Sequence, residues 1–168
     1  FPGYSISYIT NGVHSATWAA DEFGKLFDEH IPNWRQDSFE LRNALKIPEH
    51  RVWDAHVLCK KSLVQYVNEK HNAGFDPEVF TIGFARRAAE YKRADLLFYD
   101  IQRLRQIGTE RPIQIVFAGK AHPADEGGND LIRKIHWHMG ELRDVVKIVY
   151  LENYDIDLAK LLISGVDI

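Results

Sequence analysis

Three short apolar runs alternate with amphipathic helical patterns over the second half of the chain. The apolar runs cover 79–85, 112–118 and 146–151, and the helical patterns cover 94–107, 124–139 and 157–163. A nearly continuous apolar strand is typical of a parallel sheet that is covered by helices on both faces. The alternation therefore predicts an α/β fold class, with a Rossmann-like parallel sheet and helices on both of its faces.

The first half of the chain does not show this alternation of strand and helix patterns. An alternating stretch of β-branched and aromatic residues at 4–9 predicts a short strand, and helical patterns follow it. We expect residues 1–75 to form an inter-domain connection with a strand and helices, and residues 76–168 to form a partial Rossmann-like domain. Val166 starts what reads as a fourth strand. We therefore expect this domain to be truncated at its C-terminus and the chain to be a piece of a longer protein.

The longest helical pattern opens after Pro48, a residue that is favoured at a helix start. Steps of three and four residues place its apolar positions on one face. The predicted inner face comprises Val52, His56, Cys59, Leu63 and Tyr66. Lys60 is predicted to point outward.

Charge and cysteine content exclude several classes of protein. The net charge is −3 at pH 7, with a pI of about 6.2, so a general nucleic-acid or membrane-surface binder is not expected. No apolar stretch has the length that is needed to span a membrane. Cys59 is the one cysteine, which excludes an intrachain disulfide and favours a reducing, cytoplasmic location.

Polar residues follow each predicted strand. They are Arg86, Arg87, Tyr91 and Lys92 after the first, Lys120 after the second, and Glu152, Asn153 and Tyr154 after the third. Ligands of open parallel sheets bind outside the carboxyl ends of the strands. Guanidinium and ammonium groups at a helix start suit a phosphate or another oxyanion. A solvated basic turn is the alternative, and residue types alone do not decide between the two.

Three other groups of polar residues have ordinary structural interpretations. Asn11 is either a turn former before Gly12 or a hydrogen-bonding group for a polar ligand. His136 and His138 resemble a metal pair, but a spacing of two on a helix puts their rings on opposite faces, so no metal site is predicted. Asp155 is expected to cap a helix.

Four motifs resemble the α-glucan phosphorylases, in particular the short bacterial and archaeal type. They are ITNGVH at 9–14, FARRAAEYKR at 84–93, VFAGKAHP at 116–123 and YLENYDIDLAKLLISGVD at 150–167. The motifs stand in the family's order and span nearly the whole chain. The resemblance implies the C-terminal domain of a two-domain GT-B glycosyltransferase architecture. It also implies phosphorolysis of terminal α-1,4 glucosyl units to α-glucose 1-phosphate, with retention.

The resemblance further implies substrates and their binding residues. The partners would be an α-1,4-glucan and inorganic phosphate, and homo-oligomer formation is an expectation from the family alone. Arg87 and Lys92 match the catalytic residues that bind the substrate phosphate. Tyr91 matches a residue that contacts a sugar hydroxyl, and Asn11 matches one that holds the 6-hydroxyl of the glucosyl unit.

Pyridoxal 5'-phosphate is the cofactor that the resemblance implies. Arg86 and Lys92 match residues near the cofactor phosphate, and Tyr154 matches a residue that lies against the cofactor. Lys120, Glu152 and Asn153 are candidates to line the same cleft. The family's Schiff-base lysine falls after the last matching motif and outside this sequence, so the 168-residue piece alone is expected to be inactive.

Two other functions remain open from the sequence. Nucleotide-sugar glucosyltransferases of the glycogen-synthase kind carry a pair similar to Arg87 and Lys92, but not the ITNG and LENYD motifs in these places. A non-catalytic remnant that binds phosphate or sugar could also keep the cationic sheet edge.

Overall fold

The computed structural model describes residues 3–168. The helices are α1 (Ser15–Trp18), α2 (Asp21–His30), α3 (Glu49–His71), α4 (Ile101–Glu110), α5 (Glu126–Leu142) and α6 (Ile156–Gly165), and the strands are β1 (Phe80–Ala85), β2 (Ile113–Ala118) and β3 (Lys147–Leu151). Short 3-10 helices cover Ser38–Lys46, Glu90–Lys92 and Leu96–Phe98. No helix among the described residues is both long and apolar enough to cross a membrane.

The strands form one parallel sheet in the order β1-β2-β3, which confirms the predicted α/β fold class. Alternate side chains along each strand point to opposite faces. One face packs Ile115, Phe117 and Tyr150 under α4 and α5. The other face packs Val116, Ala118, Val149 and Leu151 under α3 and α6. Helices thus cover both faces, as the apolar strands predicted.

The chain leaves α6 beside the free edge of β1. The Asp167 N–H donates to the Thr81 carbonyl oxygen at 2.9 Å, and the Gly83 N–H donates to the Ile168 carbonyl oxygen at 2.8 Å. These bonds lie where Val166 was predicted to open a fourth strand, although no regular strand is formed. The crossover places this segment on the side of β1 opposite β2, so the strand order reverses at β1.

The strand predicted at 4–9 is not formed, and this prediction was wrong. The segment is irregular, and Ile6 and Ile9 are almost fully exposed. A strand needs a neighbour to satisfy its backbone and bury one of its faces. Within residues 3–168 no strand pairs with this segment. The alternating pattern shows that the segment is able to pair as a strand, but a strand forms only where a neighbouring strand is present.

The buried face of helix α3 differs from the predicted one at two positions. Lys60, predicted to point outward, is buried, whereas Val52 is exposed. The Lys60 ammonium lies 2.6 Å from an Asp167 oxygen, and His56 Nε2 lies 2.9 Å from the other oxygen. The Thr81 N–H also donates to Asp167, at 2.7 Å. The ion pair supplies the counter-charge that a buried ammonium requires.

The helix predicted at 94–107 begins later than the periodicity suggested. A 3-10 turn over Leu96–Phe98 comes first, and α4 starts only at Ile101. Asp100 caps α4, because its carboxylate accepts a hydrogen bond from the Arg103 N–H at 2.9 Å. Arg93, just before the 3-10 turn, is left-handed with φ of 52°. With the cap at Asp100, it divides the apolar pattern into a 3-10 turn and a separate helix.

Candidate functional site

The carboxyl ends of the three strands lie at one level of the sheet. Ala85 pairs with Ala118, and Ala118 pairs with Leu151. The next residues along the chain are Arg86, Gly119 and Glu152. Parallel register therefore brings the three predicted polar segments to the same edge, where ligands of such sheets bind.

The loops after β1 and β2 are in contact through their backbones. Gly119 is buried with φ of +145°, and a Cβ atom at this position would lie 2.0 Å from the Arg86 carbonyl oxygen. Only a residue without a side chain permits this approach. Beside it, the Ala88 N–H donates to the Lys120 carbonyl oxygen at 3.1 Å. The backbone that carries Arg87 is thus held against the loop after β2.

Two further elements support these loops. The Tyr150 hydroxyl of β3 donates to the Gly119 carbonyl oxygen at 3.1 Å. In the first turn of α5, a Cβ atom at Gly128 would lie 2.4 Å from the Ala88 carbonyl oxygen. The Asp125 carboxylate accepts from the Gly128 N–H at 2.9 Å and caps α5. The backbone of residues 86–88 therefore lies against the loop after β2 and the first turn of α5, and Tyr150 of β3 holds the loop after β2 from its other side.

Arg86 and Tyr154 link the first and third strand ends electrostatically. Burial raises the pKa of the Tyr154 phenol, and the positive charge of Arg86 opposes this rise, because it favours the phenolate. Arg86 is exposed, and Tyr154 is half-buried against the core under α3 and α6. A guanidinium and a phenol that are far apart in sequence are thus within electrostatic reach of each other.

Lys92 and Tyr91 share the 3-10 turn that follows the Arg86–Arg87 pair. The Lys92 ammonium lies 4.6 Å from the centroid of the Tyr91 ring, which is a cation–π contact. Lys92 is half-buried and lines a groove of about 610 Å³ between β1 and α4. Tyr91 is exposed. Lys92 therefore lines the groove, and Tyr91 lies beside it through the cation–π contact.

The cations of this edge lack acidic partners. Within residues 3–168, no salt bridge involves Arg86, Arg87, Lys92 or Lys120. Elsewhere in the fold, Lys60, Arg51, Arg105 and Lys134 each lie 2.6 Å from a carboxylate oxygen. Cations that share an edge without a counter-charge are able to bind an anion from solution.

The remaining predicted residues lie at or away from this edge. Lys120, Glu152 and Asn153 are exposed in the loops after β2 and β3, and Asn153 has a left-handed φ of 56°. Asn11 lies in the exposed irregular segment that precedes α1. The strand register places Arg86, Arg87, Lys120 and Tyr154 at one sheet edge, whereas Asn11 makes no hydrogen bond to any of them within residues 3–168. The role of each residue remains a prediction.

Sequence reasoning missed Tyr150 and Gly128 as parts of this site. Gly128 was read only as part of the helical pattern at 124–139, and Tyr150 as one residue of an apolar strand. A signal for Tyr150 exists, since a buried tyrosine hydroxyl requires a hydrogen-bond partner. Only the fold shows that its partner is the carbonyl of Gly119.

Comparison with known proteins gives consistent matches over this chain. Residues 3–168 match the family model described as carbohydrate phosphorylase. The maltodextrin phosphorylase of Thermococcus litoralis is 38% identical over 95% of this chain and 21% of its own length. The glycogen phosphorylase of Aquifex aeolicus is 34% identical over 97% of this chain and 27% of its own length.

A third relative has a similar identity and coverage. The glycogen phosphorylase of Mycobacterium tuberculosis is 34% identical over 97% of this chain and 21% of its own length. The chain thus spans about a fifth to a quarter of the length of these curated relatives.

Proposed function

The chain belongs to the carbohydrate phosphorylase family, and on this premise we propose that it supplies the phosphate-binding sheet edge of an α-1,4-glucan phosphorylase. The working polypeptide is of its relatives' size, with residues 1–75 connecting two Rossmann-like domains of a GT-B architecture. It transfers the terminal glucosyl unit of the glucan to inorganic phosphate and releases α-glucose 1-phosphate with retention. A cytoplasmic location and a homo-oligomeric state belong to the same proposal.

The observation that carries this proposal is the set of cations without acidic partners at the strand ends. Phosphorolysis brings a substrate phosphate close to a developing oxocarbenium ion and, in this proposal, to a cofactor phosphate. Two neighbouring phosphates repel each other, and positioned cations offset that repulsion while keeping the groups aligned. Arg87 binds the substrate phosphate through its guanidinium, which can donate two parallel hydrogen bonds. Lys92 adds a point charge.

The cofactor side of the edge is assigned to Arg86 and Tyr154. Their proximity fits a phosphate-bearing cofactor, because Arg86 has no acidic partner within residues 3–168 and its charge reaches the phenol of Tyr154. When bound, pyridoxal 5'-phosphate supplies a phosphate group that exchanges a proton with the substrate phosphate. Arg86 orients that group and Tyr154 packs beside it. Lys92 lies between the two phosphate positions.

The glucan side is assigned to Tyr91 and Asn11. Tyr91 contacts a sugar hydroxyl from its exposed position next to Lys92, and Asn11 holds the 6-hydroxyl. Asn11 reaches the sugar only if the segment before α1 folds over the edge when the cleft is complete. Lys120, Glu152 and Asn153 line the cleft wall. Water must be excluded from this cleft, because water would otherwise replace phosphate and cause hydrolysis.

The test is a phosphorolysis assay on the full-length polypeptide that contains this segment. Arg87→Gln removes a charged hydrogen-bond donor to phosphate, which corresponds to a loss of roughly 10- to 100-fold in kcat/KM for phosphate. Lys92→Met is expected to act in the same direction. The matched control is Arg133→Gln, at an exposed position on α5 where, within residues 3–168, the arginine pairs only with Asp130.

The outcomes separate the candidate functions. Release of glucose 1-phosphate that requires inorganic phosphate and falls in both edge variants, but not in the control, supports the proposal. Glucan elongation that requires a nucleotide sugar instead of phosphate would favour the glucosyltransferase. Phosphate binding without turnover would favour the non-catalytic remnant.

A further inference from the structure

Tyr150 lies at the next-to-last position of β3, with its ring buried on the face that α5 covers. It is 8% exposed, and burial raises the pKa of its phenol, so the hydroxyl keeps its proton at neutral pH. The hydroxyl donates to the Gly119 carbonyl oxygen at 3.1 Å. A neutral phenol inside an apolar strand is thus used as a fixed hydrogen-bond donor.

The group that Tyr150 holds is directly connected to the arginine loop. The Gly119 carbonyl belongs to the peptide that joins Gly119 to Lys120, and the next carbonyl, that of Lys120, accepts from the Ala88 N–H at 3.1 Å. The Gly119 Cα also lies against the Arg86 carbonyl, where no side chain would fit. Fixing the orientation of the Gly119–Lys120 peptide therefore fixes the backbone on both sides of Arg87.

We propose that Tyr150 is a positioning residue for the substrate phosphate, acting through Gly119 and Lys120 on the loop that carries Arg87. This inference rests on the proposed function, because it takes Arg87 to be the phosphate ligand. Tyr150 itself does not contact the phosphate. Its hydroxyl sets the height and tilt of the loop above the sheet, so that the Arg87 guanidinium is presented in one orientation.

The inference predicts a selective kinetic effect. Tyr150→Phe keeps the buried ring and removes only the hydroxyl. The loss of one neutral hydrogen bond corresponds to a change of about three- to tenfold in an equilibrium constant. We expect the KM for phosphate to rise by about that factor, while the KM for the glucan changes by less than about twofold, since the sugar contacts lie on other segments. A purely structural role would not divide the two KM values in this way.

Amide hydrogen exchange supplies a second measurement that does not depend on turnover. The Ala88 amide is protected by its bond to the Lys120 carbonyl. Release of the Gly119–Lys120 peptide in Tyr150→Phe is expected to speed exchange at Ala88 by about threefold or more. Amides in the middle of β2 should keep their rates, because they pair with two neighbouring strands.

Tyr66→Phe is the matched control. Tyr66 is a half-buried tyrosine of α3 whose hydroxyl makes no hydrogen bond within residues 3–168, so the same chemical change is made away from the site. Both variants are made in the full-length polypeptide, and circular dichroism checks that each one folds.

The results distinguish failure of this inference from failure of the proposed function. If the unsubstituted protein shows phosphorolysis and Tyr150→Phe leaves the KM for phosphate unchanged, the inference is overturned and the proposed function stands. If the unsubstituted protein shows no phosphorolysis, the role toward phosphate fails together with the proposed function. Exchange at Ala88 then still decides whether the hydroxyl holds the loop. Equal exchange in Tyr150→Phe and Tyr66→Phe overturns that part.

Discussion

Gly119→Ala is the substitution for which the structure predicts the largest effect from the smallest chemical change. The added Cβ atom would lie 2.0 Å from the Arg86 carbonyl oxygen and 3.1 Å from the Arg86 carbonyl carbon. Both neighbours are backbone atoms, which cannot rotate away as the end of a side chain can. Relief therefore requires that the loop after β1 or the loop after β2 move.

Two costs add at this position. Forcing an extra carbon into a packed site costs about 1–3 kcal/mol. The φ of +145° is unfavourable for any residue with a side chain, at about 1–3 kcal/mol. Together they lower the free energy of unfolding by roughly 2–6 kcal/mol. If the loop moves instead, Arg87 moves with it, and a displacement of about 1 Å at a reacting group costs on the order of 10²-fold in rate.

Gly140→Ala is the matched control for the same atomic change. Gly140 lies within α5 with nothing near the position of an added Cβ, so alanine there should stabilise the helix by about 0.5–1 kcal/mol. The free energies of unfolding are measured by urea denaturation followed by circular dichroism, and phosphorolysis is measured in parallel. A Gly119→Ala protein that retains both its stability and its KM for phosphate would refute the close contact between the two loops.

Two other perturbations test charges at opposite ends of β1. Asp167→Asn leaves the Lys60 ammonium buried without its partner, and it should cost about 3–5 kcal/mol of unfolding free energy at pH 7. Burial alone would raise the pKa of Asp167, but bonds from Lys60, His56 and Thr81 more than offset it and lower the pKa. The stabilisation is therefore present above the unfolded pKa of about 4 and lost as the pH falls through the folded pKa, so denaturation curves of the variant and the parent should converge in acid. Arg86→Gln removes the charge that opposes burial at Tyr154, so the pKa of Tyr154 should rise further in a tyrosinate absorbance titration. An unchanged pKa would contradict the proximity of the two groups.

The sheet and the cationic edge at its strand ends were predictable because their signals are local. Each strand is a short apolar run, and the polar residues that follow it in sequence also follow it in space. Parallel pairing then brings the three strand ends together without further information. This is why the sequence alone places Arg86, Lys120 and Tyr154 at one edge.

The features that were missed depend on pairing between distant segments. Lys60 and Asp167 are 107 positions apart, and nothing near Lys60 in sequence indicates a buried carboxylate. The helical periodicity of α3 was therefore read with Lys60 on the outer face. The hydroxyl of Tyr150 and the carbonyl of Gly119 are likewise joined only by the register of β2 and β3. The stretch at 4–9 shows the opposite error, because a strand pattern was read where no neighbour is supplied.

A comparison of the two ends of β1 helps to decide whether the loop that carries Arg86 and Arg87 is an ordinary solvated turn. At its start, a buried lysine is matched by Asp167, so this fold places a carboxylate where a cation must leave water. At its end, Arg86 and Arg87 are exposed and have no acidic partner within residues 3–168, so either water or a bound anion can balance their charge. Solvation alone, however, gives no reason for the backbone of that loop to pack closely against Gly119 and Gly128, or for the Tyr150 hydroxyl to hold the Gly119 carbonyl. A loop whose cations served only solubility would function equally well with a mobile backbone, whereas a loop that must align a phosphate would not.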